Sequence, residues 1–286
     1  MYPAQMATLL ALLSSLLWGS ADYHAGNLTK KYPAMVVLGI NQAFGLLFGI
    51  SLVIISQEWI APNLSSDGYL VNGVLAGLSG YAGLLCLYAG LSTGRMGVVS
   101  PISSLSVLIP LGFALFVGDE SLSRPVTLGV VAAIIGVFLS GGPEVSSGLP
   151  FKPILLALGA ACGFGAALTF MSIGSEVSSL LTMTTMRIAT FSITVGYFIN
   201  RGNFGGVQKK HIPLLIGIGI SDFLANLLLG VATTKGLVSI AMVLGALYPI
   251  ATAVLAFIFL HERLQKVQYI GIILAVGGVA VISSMS

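Results

Sequence analysis

Long apolar runs alternate with short polar connections along the whole chain. A membrane-spanning helix needs roughly 20 mostly apolar residues, and ten runs of about that length can be marked. They lie near residues 5–26, 34–56, 69–92, 97–118, 124–141, 153–173, 179–199, 212–234, 237–260 and 266–284. No connection between them is long enough for a soluble domain. The pattern predicts an all-α polytopic membrane protein with ten transmembrane helices.

The two halves of the chain carry the same pattern. Four residues of the first half recur at an offset of 142, so that Glu120, Leu122, Gly129 and Gly136 return as Glu262, Leu264, Gly271 and Gly278. Nearer the start of each half, Trp18-Gly19 matches Phe164-Gly165 at an offset of 146. We therefore predict two five-helix repeats, residues 1–147 and 148–286. Because five is odd, the second repeat enters the membrane from the opposite side, which gives an inverted repeat.

Composition agrees with a membrane protein and excludes a water-soluble one. The 286 residues include only 12 Lys or Arg and 9 Asp or Glu, and the mean hydropathy is +1.02. A soluble domain has charged residues at about a quarter of its positions. The net charge of +3 is small and scattered, so nucleic acid is not an expected partner. We expect a multi-pass protein of the cell (inner) membrane.

The distribution of basic residues predicts an orientation. Nine of them fall in alternate connections, beginning with the first: Lys30, Lys31, Arg95, Lys152, Arg201, Lys209, Lys210, Arg263 and Lys266. The connections on the other side hold Arg124 and Lys235, while Arg187 lies within a span. Because basic connections stay in the cytoplasm, the count places both chain termini outside.

These features resemble a known family. Trp18-Gly-Ser in the first helix, paired five-helix halves, and Glu120-Ser-Leu122 or Glu262-Arg-Leu264 before a glycine-spaced helix are similar to the drug/metabolite transporter superfamily. Within it, the chain resembles a ten-helix EamA-type permease. The resemblance implies a solute carrier, frequently an exporter of amino acids or related metabolites and in some cases proton-coupled. The chain departs from many relatives in having Glu58 and Asp67, rather than a basic cluster, after the second helix.

Ionisable side chains within the spans point to an interior site, because they are costly in lipid. Asp22, Arg187 and Asp222 are such residues. Asp222 has two interpretations: it binds a proton or a substrate ammonium group, or it forms a structural ion pair with Arg187. The same carboxylate and guanidinium would also match the two ends of a zwitterionic amino acid. Asp22 either forms, with Trp18 one turn earlier, a site for a cationic or aromatic ligand, or marks the interfacial end of its helix.

Polar and aromatic residues in other spans extend this candidate site. Asn41 aligns with Arg187 at the repeat offset of 146, although Asn and Gln also form plain interhelical hydrogen bonds in membranes. The predicted substrate-binding residues are Trp18, Asp22, Asn41, Gln42, Tyr81, Tyr88, Arg187, Asp222, Asn226 and Tyr248. Pro110 and Pro249 interrupt two spans, and we predict that they serve gating. We predict no catalytic or metal-binding residue.

The sequence thus predicts a secondary transporter that works by alternating access around a central midplane site. Small metabolites are the expected substrates, with export of amino acids as the first choice and sugar uptake as the alternative. An intramembrane enzyme or a receptor-like subunit without transport is the alternative from another class. We expect no cofactor, a proton as one candidate coupling ion, and either a monomer or a homodimer.

Overall fold

The computed structural model describes residues 3–91, 96–142, 151–201, 206–260 and 264–285. Its helices are α1 (Pro3–Thr29), α2 (Ala34–Ser56), α3 (Tyr69–Leu91), α4 (Met96–Ser104), α5 (Leu108–Phe116), α6 (Arg124–Ser140), α7 (Phe151–Arg201), α8 (Ile212–Thr233), α9 (Val238–Gly245), α10 (Tyr248–Leu260) and α11 (Lys266–Met285). Short 3₁₀ turns cover Leu105–Val107 and Lys209–His211. The described residues contain no strand. The predicted all-α class is confirmed.

Eight helical segments of the described residues are long and apolar enough to cross a membrane. One of them, Phe151–Asn200, has 50 residues, which is the length of two spans. A shorter apolar helix covers Arg124–Ser140. Ten crossings follow if α6 and each part of α7 span the bilayer, so the count of ten stays a prediction. The predicted repeat boundary at 147/148 lies outside the described residues, as do Arg95, Glu262 and Arg263.

The long helix α7 is divided at Ser178. This residue has extended backbone angles, φ −164° and ψ 115°, and its hydroxyl accepts a hydrogen bond from the Leu181 N–H at 3.0 Å. A serine whose side-chain oxygen accepts from the N–H three residues later is a common N-cap, the residue at which a helix begins. The chain therefore reverses between the sixth and seventh predicted spans without a loop.

The repeat-equivalent helices α6 and α11 pack directly on each other through glycines. A Cβ on Gly129 would lie 2.9 Å from the Gly278 carbonyl oxygen, and a Cβ on Gly136 would lie 2.6 Å from the Gly271 carbonyl oxygen. Early residues of one helix thus face late residues of the other, so the two helices run antiparallel. Antiparallel equivalents are what an inverted repeat requires. The glycine-containing faces of α6 and α11 therefore contact each other within one chain and are not exposed to a second copy.

A second pair of contacts obeys the same symmetry. A Cβ on Gly19 of α1 would lie 2.7 Å from the carbonyl oxygen of Tyr248. A Cβ on Gly165 of α7 would lie 2.7 Å from the carbonyl oxygen of Ser106. Gly165 follows Gly19 by the repeat offset of 146, and Tyr248 follows Ser106 by 142. Each half therefore inserts its first helix against the broken fourth helix of the other half.

We call the two ends of this bundle the basic end and the terminal end. The basic end is the one at which α1 ends, at Thr29, and α2 begins, at Ala34. The terminal end is the opposite one, at which α2 ends, at Ser56, and α3 begins, at Tyr69. Large apolar side chains such as Leu47 and Ile273 are exposed on the outside between these ends, as expected of a surface that faces lipid.

Candidate functional site

A cavity of about 290 Å³ lies in the interior of the bundle. Its lining comes from both repeats, and it includes all ten residues predicted to bind substrate: Trp18, Asp22, Asn41, Gln42, Tyr81, Tyr88, Arg187, Asp222, Asn226 and Tyr248. These residues are spread over more than 200 positions of the chain, yet they face one space. The structure brings the whole predicted set together; their role in binding stays a prediction.

Arg187 and Asp222 form an ion pair inside the cavity wall. Nη2 of Arg187 lies 2.6 Å from Oδ2 of Asp222, with the arginine side chain only 4% exposed. Nη1 of Arg187 donates to Oε1 of Gln42 at 2.8 Å, and the hydroxyl of Thr190 donates to the same oxygen at 2.8 Å. The structural interpretation of these two charges is therefore the one that the geometry favours. The pair joins α7 to α8, with Gln42 of α2 as a further partner.

Trp18 and Asn226 complete the surroundings of Asp222. The indole N–H of Trp18 donates to Oδ1 of Asp222 at 3.0 Å. Nδ2 of Asn226 donates to the backbone carbonyl of Asp222 at 2.7 Å and reaches its Oδ1 at 3.4 Å. The ring of Trp18 also meets the ring of Tyr248 edge to face, with centroids 6.0 Å apart. Asp222 is thus held from three sides.

Asp22 differs from Asp222 in that it is not held by partners. Among the described residues it takes part in no hydrogen bond or ion pair, and it contributes to the cavity wall. Its side chain is accessible from this interior space rather than packed. Nearby, Asn41 is 8% exposed, and its Oδ1 has no hydrogen-bond partner. The Asp22 carboxylate is therefore available in the cavity, whereas the Oδ1 of Asn41 is buried in the cavity wall.

The two prolines stand next to breaks in their spans. Pro110 lacks the N–H that the carbonyl of Ser106 would accept, and a 3₁₀ turn covers Leu105–Val107 at that point. Pro249 likewise leaves the carbonyl of Gly245 without its helical donor, and α9 ends at Gly245. Their predicted position at helix interruptions is confirmed, while their role in gating stays a prediction.

Some lining residues were missed by the sequence analysis. Phe164 lines the cavity and stands at the repeat position of Trp18, so the symmetry contained a signal for it. Thr190, the hydrogen-bond partner of Gln42, carried no such signal, because Ser and Thr are frequent in these spans. Leu229 and Met242 close the inner end of the cavity and are almost completely buried.

The cavity extends toward the basic end and is closed toward the terminal end. Thr29, the last residue of α1, still lines it. At the terminal end, Glu120 accepts hydrogen bonds from the N–H groups of Val238 and Ser239 at 2.6 and 3.0 Å. There, too, Ser178 donates to Oε1 of Glu58 at 2.5 Å. Two carboxylates of the first repeat thus hold helix starts of the second repeat.

A match to a protein-family model identifies the family that has this architecture. The model of the EamA-like transporter family matches the chain twice, over residues 5–142 and 151–284. The chain belongs to the EamA-like transporter family. Its two-repeat organisation, its membrane-spanning helices and the suggested transport of small solutes follow from that membership, and the predicted resemblance is confirmed.

Two individual proteins resemble this EamA-like chain. An uncharacterized protein of Methanocaldococcus jannaschii is 28% identical over 134 residues, which is 46% of this chain and 94% of that protein. That relative is therefore about as long as one repeat. A protein of known crystal structure superposes with a TM-score of 0.81 at 18% identity, covering 98% of this chain and 96% of its own. At that identity the second similarity shows the fold alone.

Proposed function

We propose that the chain is a secondary transporter that exports small metabolites bearing an amino group, amino acids and related solutes among them. The observation that carries the proposal is the interior cavity, in which polar and aromatic side chains from both repeats converge around one free carboxylate. Substrates of secondary transporters with inverted repeats bind at such interfaces between the repeats.

Alternating access would use the breaks and contacts already described. The cavity extends to the basic end, and carboxylate–helix contacts close the terminal end through Glu120 and Glu58. Release on the other side requires these contacts to separate while the halves rock about the broken spans at Leu105–Val107 and after Gly245. The symmetry of the repeats supports an equivalent closure at the basic end.

Export is compatible with the predicted orientation and with the end at which the cavity opens. If the basic end faces the cytoplasm, the present cavity is accessible from there, and both termini lie outside. A carrier in this state loads its substrate from the cytoplasm, as an exporter must.

Asp22 is the better candidate for proton exchange, and the geometry here changes the choice made from the sequence. Asp222 is engaged by Arg187 and Trp18, whereas Asp22 has no such partner among the described residues. The same contrast argues against the alternative of an intramembrane enzyme that uses Asp22 and Asp222 as a catalytic pair, because Asp222 is engaged by Arg187 and Trp18. The free carboxylate of Asp22 also favours a substrate with a positively charged amine over a neutral sugar, because a hydrogen bond between two charged groups is the stronger one.

The test is uptake of a labelled metabolite panel into proteoliposomes, with and without an imposed pH gradient. The panel contains amino acids, amines and sugars, and the compared proteins are the wild type, Asp222→Asn and Asp22→Asn. We expect saturable flux of amine-bearing solutes, a strong loss of flux in Asp222→Asn, and loss of gradient-driven accumulation in Asp22→Asn. If no solute enters faster than into protein-free liposomes, the proposed function is wrong.

A further inference from the structure

The charges of the cavity do not balance. Among the described residues that line it, three are Asp, Glu, Lys or Arg: Asp22, Arg187 and Asp222. Since Arg187 and Asp222 neutralise each other, one negative charge remains on Asp22. We propose that the cavity selects small organic monocations, amines without a free carboxylate, and binds their ammonium group at Asp22. This inference rests on the proposed function and narrows its substrate class.

The arginine is not free to receive a substrate carboxylate. Its Nη2 is 2.6 Å from Asp222, and its Nη1 donates to Gln42 at 2.8 Å. A zwitterionic amino acid would have to displace Asp222 from a buried pair and leave that carboxylate without its counter-charge, which is costly. The arrangement that suggested a zwitterion from the sequence therefore favours a ligand without a carboxylate once the contacts are known.

The position of Asp22 in its helix sets the depth of the proposed ammonium site. Asp22 lies seven residues before the end of α1 at Thr29. At 1.5 Å per residue, it is about 10 Å from the basic end. An ammonium group has three N–H donors, so at this depth it can donate to both oxygens of the Asp22 carboxylate.

Aromatic rings favour the same ligand. Trp18 lies one turn before Asp22 on the same face of α1, and its ring meets Tyr248 edge to face. Tyr88 and Tyr248 line the same cavity as Asp22. Cations bind to the faces of such rings, and a volume of about 290 Å³ suits a ligand at the small end of the usual range.

The experiment compares two probes that differ in one group. Radiolabelled tyramine and tyrosine share the phenol and the ammonium group, and only tyrosine carries a carboxylate. Binding is measured on purified protein in proteoliposomes by equilibrium titration. For the wild type we expect saturable tyramine binding, about tenfold or more tighter than that of tyrosine, because a buried charge left unpaired costs at least that factor.

Variants locate the ammonium group. Asp22→Asn should weaken tyramine binding about tenfold or more, while Asp22→Glu, which keeps the charge, should bind it within a factor of about three. The matched control is Asp67→Asn in the exposed connection before α3. The Ser65 hydroxyl and a backbone hydrogen bond lower the pKa of the Asp67 carboxyl below its ordinary value, so this control removes the same charge outside the cavity.

The outcomes separate the inference from the transport function. Equal binding of tyrosine and tyramine, or tyramine binding that survives Asp22→Asn, would overturn the inference. A flux of neutral solutes that Asp22→Asn does not change would also overturn the inference, but it would support the proposed transport function. A third outcome is tyramine binding that depends on Asp22, together with liposomes that accumulate no solute. This outcome would support the amine-binding site and refute the proposed transport function.

Discussion

Individual residues of the cavity fall into two kinds, those that hold the structure and those that remain available. Arg187, Asp222 and Gln42 are mutually engaged by hydrogen bonds and an ion pair. The carboxylate of Asp22 lines the cavity and has no hydrogen-bond or ion-pair partner among the described residues. Burial of a charge is tolerated when the charge is paired, so the engaged group stabilises the fold and the available group can bind a ligand.

Removing Arg187 should therefore destabilise the protein itself. In Arg187→Gln the carboxylate of Asp222 loses its counter-charge, and breaking such a pair costs about 3–5 kcal/mol. The double variant Arg187→Gln/Asp222→Asn removes both charges and should recover most of that loss. Thermal unfolding in detergent measures both variants, with Asp67→Asn as the control. A single variant as stable as the wild type would contradict the structural role.

The sequence identified these residues and gave the Arg187–Asp222 ion pair as one of two interpretations, without deciding between them. Asp22, Arg187 and Asp222 stand out because charges are rare within the spans. Whether Arg187 pairs with Asp222 or with a substrate depends on the distance between α7 and α8, which no spacing along the chain encodes. The aromatic position Phe164 was recoverable from the repeat, whereas Thr190 was not.

At the scale of helices, close glycine contacts define the packing. The α6–α11 pair approaches so closely that Gly278 has the Gly129 carbonyl oxygen 2.5 Å from the position of an added Cβ. Gly277, the adjacent residue, has nothing within 4 Å. Glycines at these contacts let helix backbones approach in lipid, where van der Waals packing supports association.

Gly278→Ala and Gly277→Ala form a matched pair for this contact. Gly278→Ala must push α6 and α11 apart, and such overpacking costs about 1–3 kcal/mol. Gly277→Ala should leave stability unchanged or raise it slightly, because alanine is the better helix former. Thermal unfolding in the same detergent measures both. Equal effects of the two substitutions would contradict the packing described for α6 and α11.

On the scale of the whole molecule, carboxylates of one repeat close the terminal end by holding helix starts of the other. Glu120 accepts from the N–H groups of Val238 and Ser239 and from the Ser239 hydroxyl at 2.5 Å. The N-terminus of α9 also carries the positive end of its helix dipole. In the sequence, Glu120 stands out only as a residue that recurs in the second repeat, as Glu262.

Glu120→Gln should loosen this closure. The amide loses the charge and one accepting oxygen, and hydrogen bonds to charged groups contribute about 1.5–3 kcal/mol each. Hydrogen–deuterium exchange of the peptide containing Val238 and Ser239 should become faster, with a change in uptake rate in proteoliposomes. The control is Glu176→Gln, an exposed carboxyl near Ser178. Unchanged exchange at Val238 and Ser239 would show that Glu120 does not hold this end closed.

The sequence alone determined the membrane class, the two inverted repeats, the family resemblance and ten residues of the cavity lining. Hydropathy and repeat offsets are local or periodic properties, and intramembrane charges are conspicuous because lipid excludes them. The tertiary structure decided which charges pair, which acceptors stay free and which end of the cavity is closed. Those depend on distances of a few ångströms between helices far apart in the chain, such as the 2.6 Å that joins Arg187 to Asp222 and leaves Asp22 unpaired.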